Sequence, residues 1–199
     1  MKIKICGIKT LAEAKAVCEC EFRGKRVDFI GLIFAPSKRQ VSTKTAEQIA
    51  ALAKSYGIKA VGVFKDLAQA KSVAKMGFLD AVQVYEKVEN KAEFSPLQVW
   101  QVFSVNDALP ELEGDFDLAL FDYKGKELGG NGLSFEWGIL EPLRNSRIPY
   151  AIAGGLSEKN AKKASELGCA LLDFNSKLEN EQGFKESEKI IKVLEQIYN

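Results

Sequence analysis

The stretch Ile58–Tyr85, IKAVGVFKDLAQAKSVAKMGFLDAVQVY, decides how the chain is read. Ile58–Phe64 is a short and almost continuously apolar run, which predicts a strand buried on both faces. Asp66 stands where a helix N-cap belongs, Asp66–Met76 carries helical periodicity, and Gly77 is the residue type that ends helices in left-handed backbone. Asp80–Tyr85 returns to an apolar run of strand length. Strand, helix and strand in so short a span read as one βαβ unit of a parallel sheet.

The same alternation extends in both directions. Upstream, Lys2–Cys6 reads as a first strand, Thr10–Phe22 as a helix started by Thr10, Asp28–Phe34 as a second strand and Thr43–Tyr56 as a second helix. Downstream, Asn90–Phe94 is a short helical turn closed by Ser95-Pro96, and Leu97–Val105 is a fifth strand with Asn106 or Asp107 capping a short helix. Asp117–Asp122 is a sixth strand, followed by a Gly-rich loop over Tyr123–Leu133 and a helix from Ser134. Pro149–Ala153 and Ala170–Asn175 are the last strands, with one helix capped by Ser157 between them and another over Phe184–Tyr198. Eight such units are the number that closes a (β/α)8 TIM barrel; an open doubly wound sheet is the structural rival. At 199 residues the chain is shorter than the roughly 250 typical of that barrel, so the loops must be lean. No linker or shift in composition interrupts the alternation, so one domain over residues 1–199 is expected.

Composition removes several function classes. Lys and Arg number 28 against 27 Asp and Glu, a balance that speaks against a nucleic-acid surface. No run approaches the ~18–20 apolar residues of a membrane span, and the N-terminus lacks the apolar core of a signal peptide, so the expected compartment is the cytoplasm. The four cysteines, Cys6, Cys18, Cys20 and Cys169, are expected to be reduced there, and Cys18-Glu19-Cys20 has the wrong spacing for a zinc site. There are no histidines, so acid–base chemistry must come from Asp, Glu, Cys, Lys or Tyr.

In a parallel barrel chemistry gathers where strands end and the loops to the helices begin. Cys6 ends the first strand beside Gly7. It reads either as a small buried hydrophobe or as a thiolate favoured by Lys4, two residues back on the same strand face. Asp122 ends an apolar strand and reads either as a loop hydrogen-bonding group or as a general acid raised by an apolar setting. Arg39, in Pro36-Ser37-Lys38-Arg39, is either a solvated charge or a fork for a carboxylate. Gly154 and Gly155 make a tight turn or let backbone N–H groups approach a phosphate. Asn175 and Ser176 supply polar groups in the following loop, where barrels often build the second half of a phosphate site. Gly129-Gly130-Asn131-Gly132 reads as a substrate loop or a turn.

These motifs together resemble the phosphoribosylanthranilate isomerases. The resemblance runs through Lys4-Ile5-Cys6-Gly7-Ile8, Gly31-Leu32-Ile33-Phe34 with Ser37-Lys38-Arg39, and Val61-Gly62-Val63-Phe64. It continues through Phe121-Asp122, Gly129–Gly132, Phe135-Glu136-Trp137 and Gly154-Gly155-Leu156. It implies the Amadori rearrangement of N-(5-phosphoribosyl)anthranilate in tryptophan biosynthesis, with Asp122 as general acid and Cys6 as general base. It also implies that Arg39 meets the anthranilate carboxylate and that Gly155, Asn175 and Ser176 help to hold the phosphate. The only partner expected is a phosphorylated small molecule, on a monomer or homodimer, with no cofactor, metal, nucleic acid or membrane. Three departures stand out. Gln83-Val84-Tyr85-Glu86 replaces the family's Gln-Leu-His-Gly, leaving Tyr85 to fill that space. The fifth strand lacks a lysine and offers Gln101 nearby, and Asn175-Ser176-Lys177-Leu178-Glu179 replaces Ser-Ser-Gly-Val-Glu. Lys177 either adds charge for a phosphate or points to solvent. Another phosphosugar enzyme on this barrel, or a non-catalytic anion-binding barrel, are the competing functions.

Overall fold

The computed structural model describes residues 1–123 and 136–199. The strands β1 (Lys2–Cys6), β2 (Phe29–Ile33), β3 (Lys59–Phe64), β4 (Ala81–Val84), β5 (Gln98–Val105), β6 (Leu118–Tyr123), β7 (Tyr150–Ile152) and β8 (Leu171–Phe174) are all parallel. They follow one another in chain order, and β8 pairs with β1 from Lys2↔Leu171 to Ile5↔Phe174. That last pairing closes the barrel and removes the open sheet from consideration.

Alternation along each strand divides the core in two. Ile3 and Ile5 of β1 pack outward, as do Ala60 and Phe64 of β3, against helices α1 (Leu11–Glu19), α2 (Thr43–Ser55), α3 (Leu67–Ala74), α4 (Ala161–Ser165) and α5 (Ser187–Tyr198). The helices answer with apolar stripes at helical spacing: Ala46, Ile49, Ala50 and Ala53 on α2, and Ile190, Val193 and Leu194 on α5. Thr10, Ser42 and Asp66 cap α1, α2 and α3 by accepting from the backbone N–H three residues on. The other parity fills the barrel. Phe29, Val61, Ala81, Trp100, Leu118 and Leu171 form a plug toward the N-terminal ends, with Phe29 and Trp100 packed edge to face at 5.0 Å. Trp100→Ala is therefore expected to destabilise the fold by about 3–5 kcal/mol, read by denaturant unfolding, because the closed ring cannot collapse onto the space left.

Three expected helices differ from what is observed. No helix follows β5: Asn106 and Asp107 bond to each other, and Pro110 drives the preceding Leu109 away from helical backbone. The helix expected from Ser157 begins only at Ala161. The Asn160 side chain accepts from the Ser157 N–H and donates to the Gly155 carbonyl, holding the intervening residues in a turn. The last helix begins at Ser187 rather than Phe184, because Lys185 is drawn inward, its N–H to Glu13 and its ammonium to Glu179. The Gly-rich loop around Gly129–Gly132 and the helix start at Ser134 lie outside the described residues. A short 3-10 helix over Trp137–Leu143 is seen beyond them.

Candidate active site

The C-terminal mouth of the barrel opens into a cavity of about 800 Å³. Cys6, Asp122, Arg39, Gly154, Gly155, Asn175 and Ser176, the residues singled out from sequence, all line it. They come from β1, β6 and the loops after β2, β7 and β8, so the barrel alone brings them together.

Cys6 faces inward because Ile3 and Ile5 face the helices. Its cross-strand partner is Gly31, and a Cβ there would lie 2.7 Å from the Cys6 Sγ and 3.0 Å from the Lys4 Cε. Glycine is required at that position for the thiol and the lysine to lie side by side. Lys4 is completely buried; its ammonium donates to Asp173 Oδ2 at 2.7 Å and to Gln83 Oε1 at 2.9 Å. Burial, the largest single influence, would strip its proton, but Asp173 and Cys6 together prevail over it by charge and hydrogen bond and keep Lys4 charged. Lys4 acts on the thiol in the expected direction, but the expectation that it leaves Cys6 favouring the thiolate needs correction. Burial pushes Cys6 up, Lys4 pulls it down by charge and hydrogen bond, Asp173 pushes it up again, and the balance is a raised value. With only 4% of the residue exposed, desolvation outweighs the neighbouring ammonium.

Asp122 is the last inward-facing residue of β6, one before the strand's end at Tyr123, and is 9% exposed. Burial first, and the Asp173 charge second, push its carboxyl up to about 7, against a backbone hydrogen bond from Tyr123 and the Lys4 charge. At neutral pH it is poised between acid and base. Tyr85 takes the inward position at the head of β4 and lines the same cavity; burial and the Asp122 charge keep its phenol neutral. Gln101 plays no part there. It faces outward, accepting from the Val88 N–H at 2.8 Å and donating to the Glu113 carbonyl at 2.7 Å.

Arg39 is no solvated loop charge. It is 6% exposed, and its Nε and Nη2 donate to the two oxygens of Glu179 at 2.6 and 2.8 Å. Lys185, its ammonium fully buried, donates to Glu179 Oε1 and to Asn175 Oδ1. Burial alone would raise the Glu179 carboxyl, but the bonds from Arg39 and Lys185 prevail and hold it at about 2. Gly7, at φ +82°, gives this cluster room: a Cβ would sit 2.7 Å from Arg39 Cδ and 2.9 Å from Asn175 Oδ1. Gly154 and Gly155 both adopt positive φ at the end of β7. The N-terminus of a following helix, expected to face an anion here, is displaced to Ala161, so the backbone around Gly154 and Gly155 forms this wall by itself. Lys177 lines the cavity rather than turning away from it.

Sequence reading missed Asp173, Lys65, Glu179 and Lys185. Asp173 carried a legible signal, a lone carboxylate in the apolar run Leu171-Leu172-Asp173-Phe174 like the one that marked Asp122.

A closed parallel barrel with a polar cavity at its C-terminal mouth defines a (β/α)8-barrel enzyme. Residues 3–196 match the family model of N-(5'-phosphoribosyl)anthranilate (PRA) isomerase. The N-(5'-phosphoribosyl)anthranilate isomerase of Campylobacter jejuni is 39% identical over 206 residues, covering 99% of this chain and 98% of its own. The crystal structure of the phosphoribosyl anthranilate isomerase of Thermus thermophilus superposes with a TM-score of 0.83 at 22% identity, covering 99% and 98% of the two chains. Another solved phosphoribosyl anthranilate isomerase, in complex with reduced 1-(o-carboxyphenylamino)-1-deoxyribulose 5-phosphate, superposes at 0.76 with 22% identity, covering 99% and 98%. The chain belongs to the N-(5'-phosphoribosyl)anthranilate isomerase family, and its reaction is the isomerisation of phosphoribosylanthranilate in tryptophan biosynthesis. Among the described residues no helix is long and apolar enough to cross a membrane.

Proposed function

We propose that Cys6 and Asp122 carry out the proton transfers of an Amadori rearrangement that yields 1-(2-carboxyphenylamino)-1-deoxyribulose 5-phosphate. Asp122 donates its proton to the furanose ring oxygen; the C1′–O bond breaks as the nitrogen lone pair forms a C=N bond. The Cys6 thiolate removes the C2′ proton, and those electrons make the C1′=C2′ bond of an enolamine. Protonation at C1′ and loss of the C2′ hydroxyl proton give the ketone. The observation that carries this reading is a carboxyl held at about 7 facing the same cavity as a thiol beside a buried ammonium. Such a carboxyl keeps a proton to give near neutral pH. Every step moves protons already present in substrate and side chains, so the chemistry calls for no cofactor or metal.

Gly154, Gly155, Asn175 and Ser176 hold the phosphate in this reading, and Arg39 takes the anthranilate carboxylate. The phosphorylated, carboxyl-bearing ligand of the solved relative is a molecule of the matching kind. Charge-assisted hydrogen bonds contribute roughly 1.5–3 kcal/mol, so Arg39→Ala is expected to raise KM about tenfold or more, measured by steady-state kinetics. An unchanged KM confines Arg39 to its pairing with Glu179. The test of the whole reading is an isomerisation assay on freshly made phosphoribosylanthranilate after thiol alkylation. Activity is expected to vanish, and a bound product analogue to protect it. Full activity with Cys6 alkylated overturns the assignment.

A further inference from the structure

Cys6 and Asp122 leave one proton of the rearrangement without an acceptor: that of the C2′ hydroxyl, lost as the enolamine becomes the ketone. The hydroxyl sits on the carbon whose hydrogen Cys6 removes, so its acceptor must stand beside Cys6. Asp173 meets that condition. β8 pairs with β1 in the register Lys4↔Asp173 and Ile5↔Phe174, so Cys6 lies on the adjacent strand, one inward position above the carboxylate. Leu172 and Phe174 pack outward, and Asp173 faces the interior and lines the cavity. The Lys4 ammonium ties the two groups together: it donates to Asp173 Oδ2 at 2.7 Å and acts on the Cys6 thiol by charge and hydrogen bond. Oδ1, the other oxygen of this carboxylate, is buried and has no hydrogen-bond partner among the described residues. Of the described side chains with such an atom, Asp173 alone lines the cavity. A buried carboxylate oxygen without a donor carries a desolvation cost that a ligand hydroxyl would remove. Gln83 Oε1 already accepts from Lys4, and Asn175 Oδ1 from Lys185. Asp122, the other carboxylate lining the cavity, stands on β6 with β7 between it and β8. Burial also raises the Asp173 carboxyl against the pull of Lys4 and Lys185, which makes it a better proton acceptor than an exposed carboxylate.

We propose that Asp173 is a further catalytic residue, whose free Oδ1 binds the C2′ hydroxyl and takes its proton as the enolamine becomes the ketone. The inference rests on the reading of the cavity as the isomerisation site with Cys6 serving C2′. In this step the O–H electrons form the C2′=O bond. The C1′=C2′ electrons take up at C1′ the proton that Cys6 removed from C2′, and the sulfur is left as thiolate again. Asp173 ends the step protonated and Asp122 unprotonated. Water entering as product leaves carries the proton from one to the other, and the site is reset without a net gain or loss of protons. Lys4 stays charged throughout and fixes the carboxylate by its other oxygen, so that Oδ1 is held toward the substrate.

The test pairs binding with kinetics. Reduced 1-(2-carboxyphenylamino)-1-deoxyribulose 5-phosphate, which keeps the C2′ hydroxyl, and its counterpart lacking that oxygen are titrated calorimetrically into the unmodified enzyme and Asp173→Ala. Loss of the hydroxyl is expected to weaken binding about tenfold in the unmodified enzyme and less than twofold in Asp173→Ala. Should Asp173→Ala fail to fold, the double variant Lys4→Met/Asp173→Leu, which leaves no buried charge unpaired, gives the same comparison. In Asp173→Asn the amide oxygen turns to Lys4, which only donates, and the amide nitrogen facing the substrate cannot take a proton. There kcat is expected to fall by ~10²-fold or more with little change in KM. An equal penalty for the missing hydroxyl with and without the Asp173 carboxylate overturns the contact and leaves the isomerisation site intact. If kcat in Asp173→Asn stays within tenfold and only the pH profile moves, Asp173 is reduced to a field acting on Asp122, and the proposal is overturned as well. Failure of the reduced product to bind the unmodified enzyme overturns the siting of the reaction and this inference together.

Discussion

Cys6→Ala is expected to lower kcat by at least ~10²-fold, and by as much as ~10⁴-fold, with the barrel intact by circular dichroism and thermal unfolding. The side chain is small and its neighbour across the strand is a glycine, so the substitution removes little more than the sulfur. Two neighbouring groups are in the wrong protonation state to take over. Lys4 stays protonated against Asp173, and Tyr85 is held neutral. Cys6→Ser is expected to be nearly as poor. The site already resists ionising a thiol, and an alcohol is a far weaker acid, so the alkoxide is out of reach near neutral pH. Activity within tenfold of the unmodified enzyme in Cys6→Ala would mean that the C2′ proton leaves to some other base.

Asp122→Asn is expected to cost a comparable factor in kcat with a smaller effect on KM, measured with saturating substrate. The amide matches the carboxyl in shape, so binding groups stay in place. It cannot deliver a proton to the ring oxygen, and ring opening then has to expel an unprotonated alkoxide. A mere loss of affinity with kcat preserved would reassign Asp122 to holding substrate.

The barrel was legible because each strand is a near-continuous apolar run and helices announce their starts; Thr10 and Asp66 cap as their positions suggest, and Ser42 caps the second helix in the same way. Cys6 and Asp122 were legible because a polar residue ending such a run has few structural reasons to be there. What escaped depended on contacts between distant parts of the chain. Glu179 and Lys185 look like loop charges until β8 and its loop bring them onto Arg39, and the same pull on Lys185 delays the last helix. Ser157 resembles a cap, but the Asn160 side chain claims the backbone around it. Gln101 sits in the right strand with the wrong parity, which shifts it from the mouth to the outer face. Lys4 is close to Cys6 as its spacing suggests, but the sign of the thiol's shift was set by depth of burial, which adjacency along a strand does not report.

That sign sets the shape of the pH profile. The reactive form needs Cys6 deprotonated and Asp122 protonated, while the thiol is raised and the carboxyl titrates at about 7. The acid therefore titrates below the base, and the active form is a minor one at every pH. Below pH 7 the carboxyl keeps its proton and the thiolate fraction grows tenfold per unit. Between the two transitions gain of thiolate and loss of acid cancel, and above the thiol's transition activity falls. The pH dependence of kcat/KM in the unmodified enzyme and in Asp122→Asn, compared over the same range, tests the pairing of these two groups most directly. The unmodified enzyme is expected to show an ascending limb bending near pH 7. In the residual activity of Asp122→Asn that limb should move up to the ionisation of Cys6, above the ordinary thiol value of roughly 8.5. An ascending limb that stays near pH 7 without the carboxyl contradicts the assignment of Asp122 as the acid working with Cys6.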